Sequence, residues 1–268
     1  MNETITRSLS GLVYILVLLF ATMFSRETFL ILFGLFLLQT VNEFCNLVSL
    51  PKIQSLSLAG FLYFIFSFFL VQNKFTDFAL LFASIFVALK LINWLFKGKM
   101  EFMVKQENWV NLIGYIILPF VFITKIPLLN SHYIPSIIIG IFILIWTNDT
   151  FAYIVGKSIG KNKLYEKISP KKTVEGFIGG IVFAIIVSVI IAKYYTQMAI
   201  YIWVTTAIII GIFGTLGDLV ESKFKRIANI KDSGNIMPGH GGMLDRLDSI
   251  IFAAPFLFLF YKIITYVS

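Results

Sequence analysis

The sequence predicts an all-α, polytopic integral membrane protein of about nine transmembrane helices, with its N-terminus in the cytoplasm. Three observations predict it. Of the 268 residues, 58% are hydrophobic and only 13% charged, whereas a soluble domain sits nearer half apolar and a quarter charged. Apolar runs of membrane-spanning length recur along the whole chain. The basic residues fall almost entirely in alternate loops. A soluble chain of this size cannot hide so much apolar surface in one core. A water-soluble enzyme, a disordered protein and a disulfide scaffold are therefore excluded.

A hydrocarbon core of about 30 Å needs roughly 20 apolar helical residues. Nine segments meet that need: about 8–25, 28–47, 55–72, 75–96, 109–124, 133–155, 176–195, 198–219 and 248–266. The first resembles a signal peptide, with Arg7 ahead of the run Gly11–Phe20. No clear small-residue cleavage site follows, and eight further spans come after it, so it is read as a retained helix. Two short pieces, 97–108 and 157–175, look polar or amphipathic, and 220–247 is the longest segment without a span. No repeat or separate soluble domain is visible. The chain reads as one transmembrane domain over 1–268, with N-terminal helices to about 130 and a chemistry-bearing half over about 131–268.

Nine spans put alternate loops on opposite sides. The side of the N-terminus collects 16 Lys and Arg, and the other has only Arg26, Lys74, Lys125 and Lys193. Basic loops mark the cytoplasmic face, so the protein is expected in the cell inner membrane, with its large loops in the cytoplasm. The net charge of +8 thus reports topology before it reports any partner. Ser169-Pro170-Lys171-Lys172 matches a DNA-binding tetrapeptide, but in a membrane loop that is coincidence, and no nucleic acid is expected. The single cysteine, Cys45, allows no internal disulfide and is read as a small packing residue.

Glu43, Lys90, Asp149 and Asp218 fall within or at the ends of spans. An ionised group there is costly and by default functional. Glu43 and Lys90 are read either as an ion pair between helices or as a polar contact to a buried cavity. Asp149 and Asp218 each stand where a span leads into a basic loop.

Two loops carry the chemistry. In the first, Asp149 and Tyr153 share a helix face, and Ser169, Lys171, Lys172 and Thr173 precede a helix start marked by Glu175, Gly176, Gly179 and Gly180. Lysines beside a helix N-terminus make a phosphate site, or simply a capped helix after a topological loop. In the second, Gly211, Gly214 and Gly217 leave a smooth packing face that ends at Asp218. If that helix continues, Ser222, Lys225 and Arg226 share the side of Asp218. The turn Lys231-Asp232-Ser233-Gly234 and the run Pro238-Gly239-His240-Gly241-Gly242 follow, then Asp245-Arg246-Leu247-Asp248 at the start of the last span. Carboxylates suit Mg²⁺, Lys and Arg suit phosphate, and glycine-rich backbone adds N–H donors. His132 and His240 are not paired and the cysteine is distant, so no zinc site forms. No P-loop is present. The residues point to Mg²⁺-assisted phosphoryl or nucleotidyl transfer at a membrane surface.

The run Ser222–Asp248 resembles the signature of phosphatidate cytidylyltransferases, through Ser222, Lys225, Arg226, Lys231, Asp232, His240, Gly241, Gly242, Asp245, Arg246 and Asp248. The upstream SPKKTVEG is similar too, with Val174 where many members carry Trp. The resemblance implies that CTP and phosphatidate are converted to CDP-diacylglycerol and pyrophosphate. It also implies a homodimer and a second, monovalent cation such as K⁺ beside Mg²⁺. It makes Asp218, Lys225, Arg226, Asp245 and Asp248 catalytic. Asp218 and Asp245 become the leading metal ligands, followed by Asp149 and Asp248. Ser169, Lys171, Lys172, Thr173, Ser222, Lys231, His240, Gly241, Gly242 and Arg246 become the substrate-binding set. A CTP-dependent enzyme acting on another lipid, a transporter and a phosphotransferase that consumes CDP-lipids are the rival readings.

The topology is testable by labelling. With Cys45→Ser as background, Lys171→Cys is expected to react with an impermeant maleimide only in inverted vesicles, and Lys193→Cys only in intact cells. The reverse pattern would overturn the orientation.

Overall fold

The computed structural model describes residues 3–69, 73–97, 100–101, 103–128, 132–196, 198–239 and 241–267. Among them are nine helices: α1 (Glu3–Phe24), α2 (Arg26–Val48), α3 (Lys52–Phe68), α4 (Lys74–Phe96), α5 (Lys105–Lys125), α6 (Pro135–Ile159), α7 (Val174–Thr196), α8 (Ile200–Ile227) and α9 (Leu244–Val267). Seven are long and apolar enough to cross a membrane, and α1 and α3 contribute shorter apolar stretches. The protein is a polytopic membrane protein, and each helix overlaps one expected span.

Local chemistry sets the breaks. Ser25 ends α1 and caps α2 in a capping box with Thr28. Ser49 takes the left-handed conformation (φ 55°) that closes α2. Asn73 caps α4, Pro135 opens α6, and Thr173 caps α7 through a bond from the Gly176 N–H. Inside α8 a π-helical segment over Ile210–Gly214 spans two glycines just before the polar end of the helix.

The segment between α6 and α7 adds a small antiparallel hairpin, β1 (Lys163–Tyr165) and β2 (Ser169–Thr173), to the helical architecture. The Tyr165 hydroxyl donates to the Leu95 carbonyl at 2.9 Å, and its ring stacks on Phe96. The hairpin therefore sits against the end of α4.

Glycine permits close helix approach at two places. A Cβ at Gly180 would lie 2.7 Å from the Asn148 carbonyl, so α6 and α7 meet backbone to backbone. A Cβ at Gly217 would lie 2.5 Å from Phe252 Cβ and 2.6 Å from the Asp248 carbonyl, so α8 meets α9 there. The expected glycine face is divided: Gly211 packs on Ile181 of α7, and Gly214 and Gly217 face α9.

One expectation is corrected. Lys90 pairs with Glu107 at 2.8 Å, not with Glu43. Glu107 lies in the first turn of α5 and Lys90 in the C-terminal third of α4, so the two long side chains reach each other between those helices, whereas Glu43 is buried elsewhere. At the opposite ends of the helices, Asp77 holds Lys125 at 2.5 Å and Lys262 at 3.0 Å, tying α4, α5 and α9 together.

Gly217→Ala is expected to cost about 1–3 kcal/mol of stability by overpacking the α8–α9 contact. Gly60→Ala, where a Cβ meets nothing within 4 Å, is expected to be neutral or slightly stabilising. Thermal unfolding in detergent compares them; equal melting temperatures would remove Gly217 as the contact that sets the helix separation.

Candidate active site

Helix α8 does not stop where its apolar stretch ends. It continues to Ile227 and carries Asp218, Glu221, Ser222, Lys225 and Arg226 past the apolar stretch. Helix α9 returns beside it, with Asp245 and Asp248 in its first turns. The Gly217 contact brings the two together. One oxygen from each of Asp218, Glu221 and Asp248 lies within 4.8 Å of the others. Glu221 is 1% exposed and Asp248 9%.

Lys225 knits this cluster to the next turn. Its ammonium lies 2.6 Å from Glu221 Oε2 and 2.6 Å from Asp245 Oδ1. Asp245 Oδ2 accepts from the Ser233 N–H (2.8 Å), the Ser233 hydroxyl (2.9 Å) and the Gly242 N–H (2.7 Å). The glycine loop is folded tightly around that carboxylate. Met237 N–H donates to the Gly241 carbonyl at 3.1 Å, and Gly239 and Gly241 have φ of 76° and 85°. Only glycine adopts such values freely, and a Cβ at Gly241 would also lie 2.6 Å from Asp245 Oδ2.

The hairpin closes the site from the other side. Lys172 pairs with Asp218 Oδ2, and the Ser222 hydroxyl donates to Asp218 Oδ1 at 3.2 Å. Alternation along β2 turns Lys171 outward, where it is exposed.

The structure thus brings together Asp218, Ser222, Lys172 and Asp248, and joins Asp245 to them through Lys225 and through direct contact with Glu221. It places other expected residues differently. Arg226 is exposed and donates to the carbonyls of Ile168 and Ile230, bracing the hairpin rather than facing the carboxylates. Asp149 accepts from Asn148 Nδ2 at 3.4 Å and lies beside the cluster, within electrostatic reach of Asp218, Asp248 and Lys172, though its oxygens are not among the three that converge. Thr173 spends its hydroxyl on capping α7, and Ser169 pairs with Tyr165 across the hairpin. Lys231 and Arg246 are exposed at the rim. His240 lies outside the described residues.

The expected leading pair, Asp218 with Asp245, is not the grouping found. The oxygens that converge most closely are those of Asp218, Glu221 and Asp248, and Asp245 borders them through direct contact with Glu221 while accepting from Lys225, Ser233 and Gly242. Sequence reasoning misses Glu221 and Ser233. Glu221 carries a signal: it lies three residues after Asp218 and four before Lys225, on the same face. Ser233 is visible only as part of a turn.

The cluster fits a hard divalent cation. Its donors are all carboxylate oxygens, and Glu221 Oε1 is buried with no hydrogen-bond partner among the described residues. An orphaned carboxylate oxygen at such a place is costly unless a cation meets it or a proton shared with the neighbouring Asp245 neutralises it.

Residues 5–264 match the model of the cytidylyltransferase family. The phosphatidate cytidylyltransferase of Bacillus subtilis is 36% identical over 261 residues, covering 94% of this chain and 95% of that protein. Those of Staphylococcus saprophyticus and Staphylococcus aureus are each 44% identical over about half of both chains, with 146 and 147 residues aligned.

Mg²⁺ is expected to raise the melting temperature of the detergent-solubilised protein, by an amount equivalent to about 2.7 kcal/mol at a hundredfold excess over its Kd. Glu221→Gln should abolish the shift. A shift of wild-type size in that variant would remove Glu221 from the ligand set.

Proposed function

The chain belongs to the cytidylyltransferase family, and from that membership we infer that it is a phosphatidate cytidylyltransferase, making CDP-diacylglycerol for phospholipid synthesis. The observation that carries the reading is the 36% identity to such an enzyme along 94% of the chain. The carboxylate and lysine cluster at the polar ends of α8 and α9 supports it independently, because nucleotidyl transfer needs that chemistry. An oxygen of the phosphatidate phosphate attacks the α-phosphorus of CTP. The bond from that phosphorus to the bridging oxygen breaks, and pyrophosphate leaves with the electron pair.

Asp218, Glu221 and Asp248 would hold Mg²⁺, which supplies charge neutralisation for the triphosphate oxygens when bound. Lys172 sits on a strand that can trade its Asp218 contact for a phosphate oxygen. Lys225 is committed to Glu221 and Asp245, so its work in this reading is to hold those carboxylates in place. Lys171, Lys231 and Arg246 form the exposed basic rim that meets the two anionic substrates. No side chain has to act as a strong base, because a phosphate monoester is already largely ionised at pH 7. The site opens on the side of the basic loops, which the charge asymmetry makes cytoplasmic. A homodimer and a monovalent cation such as K⁺ complete the proposal, carried by the family resemblance.

Purified protein is assayed with radiolabelled CTP, phosphatidate and Mg²⁺. Asp218→Asn and Asp248→Asn are each expected to lower kcat about 10²-fold or more, and Lys172→Ala to raise the KM for CTP. Wild-type turnover in either carboxamide variant would exclude that residue from the metal set. Incorporation of label with a polyprenol phosphate and not with phosphatidate would overturn the substrate assignment.

A further inference from the structure

We propose that Glu43, deep in the N-terminal half, is the positioning residue of the catalytic loop, holding the turn 231–234 and the first turn of α9 in register with Asp245. The inference rests on the cytidylyltransferase reading of the site and extends it to a helix that contributes no other group to it.

Glu43 lies in α2 and is 1% exposed. Both of its oxygens are filled. Oε1 accepts from the Met243 N–H at 3.0 Å and from Gln39 Nε2 at 2.8 Å. Oε2 accepts from the Leu244 N–H at 2.8 Å and from the Ser233 hydroxyl at 3.1 Å. The N–H groups of Met243 and Leu244 open α9 and have no partner within the helix. A carboxylate at that end also meets the positive pole of the helix. These bonds offset the cost of burying the charge, and they fix where α9 begins.

The surrounding loop is shaped to admit this carboxylate. A Cβ at Gly234 would lie 2.7 Å from Glu43 Oε1, and one at Gly242 would lie 2.4 Å from Oε2. Both glycines are therefore explained by the approach of Glu43 rather than by backbone torsion.

Ser233 joins this device to the site. Its hydroxyl is 3.1 Å from Glu43 Oε2 and 2.9 Å from Asp245 Oδ2. A hydroxyl has one proton to donate, so a single donor serves two carboxylates. The connection then runs from Asp245 to Glu221 in the metal-ready cluster, directly and through Lys225. Glu43 touches none of the cluster carboxylates; it acts through Ser233 and the backbone of α9.

The test uses the full-length protein in detergent, with CTP, phosphatidate and Mg²⁺, well below its melting temperature. Glu43→Gln keeps the shape of the side chain but turns an NH₂ toward donors. It is expected to lower kcat about tenfold or more, with both KM values within about twofold, the response to a small misplacement of catalytic groups. Glu107→Gln, the same change at a pair outside the site, should leave kcat unchanged. Ser233→Ala should also lower kcat, and the double variant with Glu43→Gln should lose less than the product of the single losses, because both act on one connection. Wild-type kcat in folded Glu43→Gln, or strict multiplicativity in the double variant, overturns the proposal. If Glu43→Gln does not fold, Gly234→Ala reads the same contact from the loop side; an unchanged kcat there overturns it as well. A wild-type protein that makes no CDP-diacylglycerol overturns the activity itself, and the positioning role with it.

Discussion

The ion pairing of Lys225 is the interaction on which the polar end of the molecule depends. Its ammonium stands 2.6 Å from both Glu221 and Asp245, two carboxylates that are 1% and 5% exposed as side chains. One belongs to α8 and the other to α9, so a single cation both neutralises buried charge and fixes one helix against the other. Removing one partner of such a buried pair typically costs about 3–5 kcal/mol, because the charge left behind is uncompensated. The glycine loop hangs on the same point: Asp245, once held by Lys225, gathers the donors of Ser233 and Gly242.

The same constraint is met wherever this chain places charge among apolar helices. Lys223 is fully buried, donates to the Trp94 carbonyl at 2.5 Å and lies 4.2 Å from the centre of the Trp94 ring. That cation thus serves the open carbonyl end of α4, where it is favoured by the helix dipole. The other end of α4 is tied by Asp77 to Lys125 and Lys262. A helix with exposed Phe78, Phe82 and Phe86 along its length is consequently pinned at both ends by polar contacts. In hydrocarbon there is little hydrophobic gain from helix association, so these end contacts and the glycine crossings act with the close packing of the apolar core to select which helices are neighbours.

The spans, the capped start of α7 and the glycine faces were legible because each depends on local sequence: apolar length, a hydroxyl before a helix, small residues at helical spacing. Asp218, Ser222 and Lys172 were legible as polar groups out of place. The regrouping around Glu221 was less so. On α8 alone Glu221 is one more charged residue of a helix end; only the return of α9 at Gly217, which sets Asp248 beside it, makes it part of a cluster. The partner of Glu43 was further from reach. Its contacts to Ser233, Met243 and Leu244 span about 190–201 positions, and nothing in the local pattern of α2 selects them over Lys90. The hairpin was hidden for a different reason: a strand of five residues with two lysines has no apolar alternation to announce it.

The charge balance of the cluster ties the geometry to the chemistry. Asp218, Glu221, Asp245 and Asp248 are in contact, directly or through shared partners, with two ammonium groups, those of Lys172 and Lys225. Fully ionised, these four carboxylates exceed the two ammonium groups by two formal charges, an excess that a divalent cation or protons can cancel, with Asp149 and Arg246 standing nearby. Lys225 is locked between two carboxylates at 11% side-chain exposure, whereas Lys172 and Asp218 are 28% and 35% exposed. The exchangeable half of the balance is therefore the hairpin lysine and its aspartate, at the mouth of the site. In the proposed reaction an incoming triphosphate would compete with Asp218 for Lys172, and a cation would compete with Lys172 for Asp218, so each ligand would favour the other's arrival by freeing its partner. The enclosed lysine comes from a helix packed against α9, and the accessible one from a short hairpin.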